Sequence, residues 1–182
     1  RSGQADHALV INPNNPTADF ISRQVLLELL ALCRARQGYL LVDEAFVDVD
    51  PSQSLASQCA EPGLIVLRSV GKFFGLAGVR LGFVLAEERL IQALGVQLPC
   101  WNVSGPAQFI GTRALADRDW QRLQRARITE MHTALRQCLS QALSALNLEF
   151  AGSGLFVTIK TREQVGEVLF ESLAKSGILV RR

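Results

Sequence analysis

The sequence predicts an α/β fold in which a mostly parallel sheet is followed by a smaller α+β unit. Three observations predict it. Short apolar runs recur at His7–Asn12, Tyr39–Phe46, Leu64–Leu67 and Val79–Ala86, each of strand length and bounded by turn residues. A helix-spaced segment separates the first two runs at the distance of a βαβ unit, which calls for parallel strands and a right-handed crossover. Beyond Pro106 the pattern changes to a long helical stripe, and a further strand and helix follow it.

Taken in order, HALVIN at 7–12 is an apolar strand stopped by PNNP, a turn sequence. Ile21, Val25, Leu26, Leu29, Leu32 and Cys33 recur at helical spacing, with Asp19 and Ser22 as N-cap candidates and Gly38 at the expected left-handed C-terminal position. YLLVDEAF at 39–46 is the second strand and ends in two carboxylates, LIVL at 64–67 is the third, and VRLGFVLA at 79–86 is the fourth, after a glycine-rich loop. From Asp117 to Asn147 the stripe Trp120, Leu123, Met131, Leu135, Cys138, Ala142 and Leu146 predicts a single helix of about 28 residues, roughly 42 Å long, of the kind that bridges domains. GLFVTIK at 154–160 reads as a strand, Glu163–Lys175 as an amphipathic helix closed by Gly177, and Ile178–Val180 as the start of another strand. Domain boundaries are expected at 1–112 and 113–182.

Composition narrows the classes. The 182 residues are 48% hydrophobic and 20% charged, with a formal net charge of +2, which is the balance of a folded globular chain and not of a disordered one. Arg118, Arg122, Arg125 and Arg127 lie on the predicted long helix among acidic residues and read as a solvated face rather than a nucleic-acid patch. Cys33, Cys59, Cys100 and Cys138 are widely spaced and have only His7 and His132 beside them, so reduced core cysteines are expected, with no metal site and no disulfide framework. No apolar run reaches the roughly 18 residues of a membrane span, and a cytoplasmic location is the expectation.

The unusual residues gather at strand ends: NPNNPT at 12–17, DEAF at 43–46, and RSVGKFFGLAGVR at 68–80. In open α/β sheets the crevice beyond the carboxyl ends of the strands is where ligands bind. Lys72 stands in an apolar glycine- and phenylalanine-rich segment, although lysine is among the residues least often buried without a partner. An apolar-strand-plus-DE pattern also occurs in nucleotide-hydrolysing domains, but Lys72 is followed by Phe73 and lacks the G-x-x-x-x-G-K-[ST] frame.

As an ordered set, these three segments resemble the fold-type I pyridoxal 5′-phosphate enzymes of the aminotransferase family, over essentially the whole chain. The resemblance implies a three-layer α/β/α large domain and part of a small C-terminal domain, with pyridoxal 5′-phosphate as cofactor. It assigns Lys72 to the cofactor aldehyde, Asp43 to the pyridine nitrogen, Asn15 to the phenolic oxygen, and Ser69 and Arg80 to the phosphate. An apolar pocket around Lys72 would favour its neutral, nucleophilic form. Glycines 75, 78 and 82 would let backbone approach the ligand.

Phe46 stands where many members of the family carry Tyr, which leaves Asn15 as the main donor to the phenolic oxygen. The DEAF, LRS-x-x-KF and Pro99–Ser104 segments resemble the decarboxylating branch, which converts L-threonine O-3-phosphate to (R)-1-amino-2-propanol phosphate in cobalamin synthesis. The alternatives are an aminotransferase of the histidinol-phosphate type and a catalytically silent fragment. Asn102 and Ser104 are candidates either for substrate contact or for loop capping. The resemblance further implies a homodimer and a chain that starts and stops inside the family pattern. It also implies that the substrate-carboxylate arginine is neither Arg181 nor Arg182.

Overall fold

A computed structural model describes residues 6–146, 148–152 and 154–181. The first strand, β1 (Ala8–Ile11), leads through the Asn-Pro turn into α1 (Arg23–Ala35), and β2 (Leu40–Asp43) returns beside β1. Three short 3-10 turns follow before β3 (Leu64–Ser69); a loop then leads to β4 (Gly82–Ala86), α2 (Glu88–Gln97) and α3 (Gly105–Ala116). The remaining elements are α4 (Arg118–Ala142), β5 (Glu149–Gly152), β6 (Val157–Lys160) and α5 (Glu163–Lys175). The large sheet has the order β1-β2-β3-β4, with β1, β2 and β3 mutually parallel and β4 antiparallel to β3; β5 and β6 form a separate antiparallel pair.

The βαβ prediction therefore holds, and α1 forms because its apolar residues share one face. Leu26, Leu30 and Cys33 are buried against Leu40, Val42, Leu64 and Val66, and Leu55 completes this core. Burying side chains of this size is worth about 1.5–3 kcal/mol each relative to exposure. Ser22 rather than Asp19 caps α1, its hydroxyl accepting from the Val25 N–H at 3.4 Å. At the other end Gln37, not Gly38, takes the positive φ of 58°. Gly38 is needed for a different reason: a Cβ there would stand 1.5 Å from the Asp6 carbonyl oxygen.

The long helix differs from expectation in which face it buries. Along α4 the inward residues are Gln121, Arg125, Ile128 and His132, whereas Leu123, Met131, Leu135 and Cys138 of the apolar stripe are exposed. Polar anchoring decides the orientation. Gln121 Nε2 donates to the Ala114 and Leu115 carbonyls at 3.0 and 3.1 Å, and Arg125 Nε donates to the Asp48 carbonyl at 2.9 Å. Arg125 thus leaves the solvated face expected for it.

Ile128 joins Val70, Phe73 and Phe74 in a second core. Only Cys33 is a core cysteine; Cys59 is half-buried, Cys100 and Cys138 are exposed, and all four are unbridged. Helix α3 runs across residue 112, and Ser104 is its N-cap, its hydroxyl accepting from Ala107 N–H at 3.3 Å. Residues 178–180 do not pair in a sheet among the described residues. The long helix is 25 residues and stops at Ala142, short of the expected Asn147, where Leu143 caps it and a 3-10 turn over Ser144–Leu146 follows; Asn147 itself and Arg182 lie outside the described residues.

Candidate functional site

The carboxyl ends of β1, β2 and β3 lie side by side, since the register pairs Ile11 with Asp43 and Asp43 with Leu67. Beyond the strands the alignment continues: Asn12 N–H donates to the Asp43 carbonyl and Glu44 N–H to the Leu67 carbonyl, both at 2.9 Å. Asn12 is buried, and its amide clamps Ile21, with Nδ2 donating to the Ile21 carbonyl at 2.9 Å and Oδ1 accepting from Ile21 N–H at 2.8 Å. That clamp closes the loop on which Asn15 is exposed. The sequence signalled Asn12 only as a turn residue before Pro13, and its bracing part was missed.

Asp43 Oδ1 accepts from the Ala45 N–H at 3.0 Å, which leaves Oδ2 as an acceptor for a ligand. Ser69 ends β3 opposite Gly82, and its Oγ accepts from Gly71 N–H at 2.9 Å. The following loop is shut at its base by a hydrogen bond from Val70 N–H to the Leu81 carbonyl, which returns Arg80 to the neighbourhood of Ser69. Arg80 has φ 57° and ψ 44°, a left-handed conformation that a side-chain-bearing residue adopts at a cost of order 1–3 kcal/mol. Its exposed guanidinium donates through Nη1 to the Ala77 carbonyl at 3.0 Å, which occupies one of its five N–H donors.

Lys72 is exposed, not enclosed by its neighbours. Phe73 and Phe74 turn away from it into the second core, where both rings pack on Trp120 of α4. The phenylalanines next to it in sequence thus stabilise the loop instead of walling a pocket. The aromatic group that does meet Lys72 is Phe46, whose ring centroid lies 5.5 Å from Nζ. Among the glycines, Gly75 is required by its φ of 69°, Gly82 is pressed against the Arg68 carbonyl, where a Cβ would stand at 3.2 Å, and Gly78 faces open space.

Behind these residues lies a buried charge cluster that sequence reasoning missed. Glu44 accepts from the Ser54 hydroxyl and from Leu55 N–H at 2.7 Å, and Arg68 Nη1 approaches Glu44 Oε2 at 3.5 Å. Arg68 Nη2 pairs with Asp48, while Arg68 Nε is buried without a partner. Burial pushes both the Glu44 and Asp48 carboxyls above the usual range, opposed at Glu44 by its hydrogen bonds from Ser54 and Leu55 and the charge of Arg68, and at Asp48 mainly by Arg68. The adjacency of Asp43 to Glu44 and of Arg68 to Ser69 was the available signal.

The small sheet also reaches this region. Phe156 packs edge-on against Phe46, the Thr158 hydroxyl donates to the Pro16 carbonyl, and Lys160 Nζ lies 3.4 Å from Asp19 Oδ1. An apolar groove of about 340 Å³ lies elsewhere, beside the second core, lined by Phe74, Leu76, Phe109, Ile110, Arg113 and Trp120. It contains none of the strand-end residues. Among the described residues no group of three or more His, Cys, Asp or Glu side chains is placed to hold a metal ion, and no helix is long and apolar enough to cross a membrane.

Set beside known proteins, residues 3–182 match the family of aminotransferases of class I and II. The chain is 47% identical over 178 residues to a threonine-phosphate decarboxylase of Pseudomonas aeruginosa, covering 97% of this chain and 52% of that protein. It is 43% identical over 181 residues to a threonine-phosphate decarboxylase of a Sinorhizobium species, covering 98% and 52%. It therefore spans about half the length of these curated relatives. The fold is similar to a histidinol-phosphate aminotransferase from Sinorhizobium meliloti solved in complex with pyridoxal-5′-phosphate, with a TM-score of 0.79 and 23% identity over 97% of this chain and 49% of that one.

Proposed function

The chain belongs to the class I and II aminotransferase family, and we propose that it carries the lysine-bearing part of a pyridoxal 5′-phosphate-dependent carboxy-lyase acting on L-threonine O-3-phosphate. The product is (R)-1-amino-2-propanol phosphate, for cobalamin synthesis. The observation that carries this reading is the 47% identity to a threonine-phosphate decarboxylase across 97% of the chain. A cytoplasmic homodimer taking a phosphorylated amino acid is part of the same reading and draws on the same likeness.

The donor set suits the cofactor's chemistry. Arg80, held in a left-handed conformation with donors to spare, and the Ser69 hydroxyl suit a phosphate. The Asp43 carboxylate, with one oxygen uncommitted, suits a protonated ring nitrogen. Asn15 is exposed as a donor for the phenolic oxygen, and Phe46 offers no second one. Once bound, pyridoxal phosphate supplies an electron-accepting ring conjugated to the substrate nitrogen. Asp43 keeps the ring nitrogen protonated; Ser69 and Arg80 fix the ring's register through the phosphate. Lys72 Nζ would hold the cofactor through its carbonyl carbon and, once released by the substrate amine, would serve to move a proton at Cα.

The test is to incubate the complete protein with pyridoxal phosphate, reduce with borohydride and map the modified peptides. Modification confined to Lys72 is expected, and threonine phosphate should then release carbon dioxide with no keto acid consumed. Stoichiometric conversion of 2-oxoglutarate to glutamate would assign the aminotransferase branch instead, and labelling away from Lys72 would end the cofactor reading.

A further inference from the structure

Extended chain sends alternate residues to opposite faces. Phe156, which precedes β6, and Thr158 and Lys160 within it therefore share one face, and each of the three meets a loop that carries a site residue. The Phe156 ring stands 5.3 Å from the Phe46 ring at 75°, and Phe46 in turn lies beneath the Lys72 amine. The Thr158 hydroxyl donates to the carbonyl of Pro16, the residue after Asn15. Lys160 pairs with Asp19 at the far end of the same loop, but both groups are exposed and such a pair contributes little. The ring contact and the hydroxyl thus carry the docking.

We propose that this face of β6 is a positioning element: Phe156 acts through Phe46 on the Lys72 amine, and Thr158 acts on the Asn15 loop. The proposal rests on the pyridoxal-phosphate reading for what Lys72 does, though not for how the amine is held. An aromatic face attracts the ammonium form, and an edge-on partner fixes the plane of that face. Without Phe156, the Phe46 ring is free to turn, and the amine it restrains becomes more available to an acylating reagent.

The sequence has only three lysines, Lys72, Lys160 and Lys175, so peptide mapping reads each separately. The complete protein, prepared without cofactor, is treated with limiting acetic anhydride at pH 8, with Lys175 as the internal reference. Phe156→Leu should raise the Lys72-to-Lys175 labelling ratio about 2- to 5-fold, the range expected for release of an exposed cation–ring contact, whereas Phe156→Tyr keeps the ring and the original ratio. Within the Asn15 loop Ala18 N–H donates to the Asn14 carbonyl at 2.8 Å, so Thr158→Val should speed amide exchange at Ala18 about 3- to 10-fold, as for loss of one hydrogen bond, and Thr158→Ser should restore it. An unchanged Lys72 ratio in Phe156→Leu, a parallel rise at Lys175, or failure of Tyr to restore the ratio overturns the proposal. Because no cofactor is present, a failed borohydride test would overturn the functional reading and leave this result standing.

Discussion

Replacing Arg68 with methionine removes the cation that two buried carboxylates share. Glu44 is 1% exposed and Asp48 6%, and Arg68 reaches Glu44 at 3.5 Å with one nitrogen and pairs with Asp48 through the other. At an effective dielectric of 20, one pair at that separation attracts by about 5 kcal/mol before desolvation is subtracted, and breaking buried pairs costs about 3–5 kcal/mol. Because the Arg68 side chain is 20% exposed, the lower end applies, about 3 kcal/mol at neutral pH. The pH dependence gives the second signature. Burial raises both carboxyls in the folded state, so they bind protons more readily folded than unfolded, and stability falls as pH rises from the ordinary carboxylate range through the raised values. Without the opposing charge of Arg68 those values rise further, so the variant's deficit should be full at pH 7.5 and smaller at pH 5. Urea unfolding of the complete protein at both pH values measures it. A loss below about 1 kcal/mol at pH 7.5, or one of equal size at pH 5, would refute the shared-cation argument.

Two further outcomes follow from the geometry. Gly38→Ala places a Cβ 1.5 Å from the Asp6 carbonyl oxygen, a main-chain atom and not the end of a flexible side chain, so urea titration should show a loss of about 2 kcal/mol; Gly78→Ala, with nothing within 4 Å, should stay within about 0.5 kcal/mol of the parent. His132 is held below its ordinary pKa, first by burial and then by Arg136, so it resists protonation in the folded state. Its contribution to stability is present above the unfolded value near 6.5 and is lost as pH falls through the lower folded value, so the melting temperature should drop between pH 7 and 5 by more in the parent than in His132→Gln.

The parts of the fold legible in the sequence were those fixed by local periodicity. The runs at 7–12, 39–46 and 64–67 became β1, β2 and β3 because each is buried on one face by α1, whose own spacing was plain. Legibility failed where long-range polar contacts outweighed an apolar pattern. On α4 the stripe through Leu123, Met131 and Leu135 had the right spacing, yet Gln121 and Arg125 turned the helix by their bonds to carbonyls of α3 and of Asp48. Nothing near those residues in sequence announces such partners. The strand-end residues were legible as an ordered set, while the exposure of Lys72 was not, because the two phenylalanines after it point into the second core.

The division of labour at the strand ends follows from alternation and register together. On β2 and just past it, Leu40, Val42 and Glu44 are buried while Leu41 and Asp43 are less so; on β3, Leu64 and Val66 are buried and Arg68 continues their row. Since Asp43 is level with Leu67, Glu44 comes level with Arg68 on the inner face, and the ion pair between them is a consequence of the register. One residue away on each chain, Asp43 and Ser69 fall on the other face, free for a ligand. The dipeptides Asp43–Glu44 and Arg68–Ser69 thus each join one group of the buried brace to one proposed cofactor contact on the opposite face. A one-residue slip of β2 against β3 would exchange the two rows, putting Asp43 into the core and Glu44 outside it. The buried ion pair has desolvation against it, but it also disfavours that slip, which would take Glu44 away from Arg68 and from its donors, the Ser54 hydroxyl and Leu55 N–H, and set the shorter Asp43 side chain in its row. Its place in the fold is therefore better explained by register than by net stabilisation, since it keeps Asp43 in the row that faces away from the core.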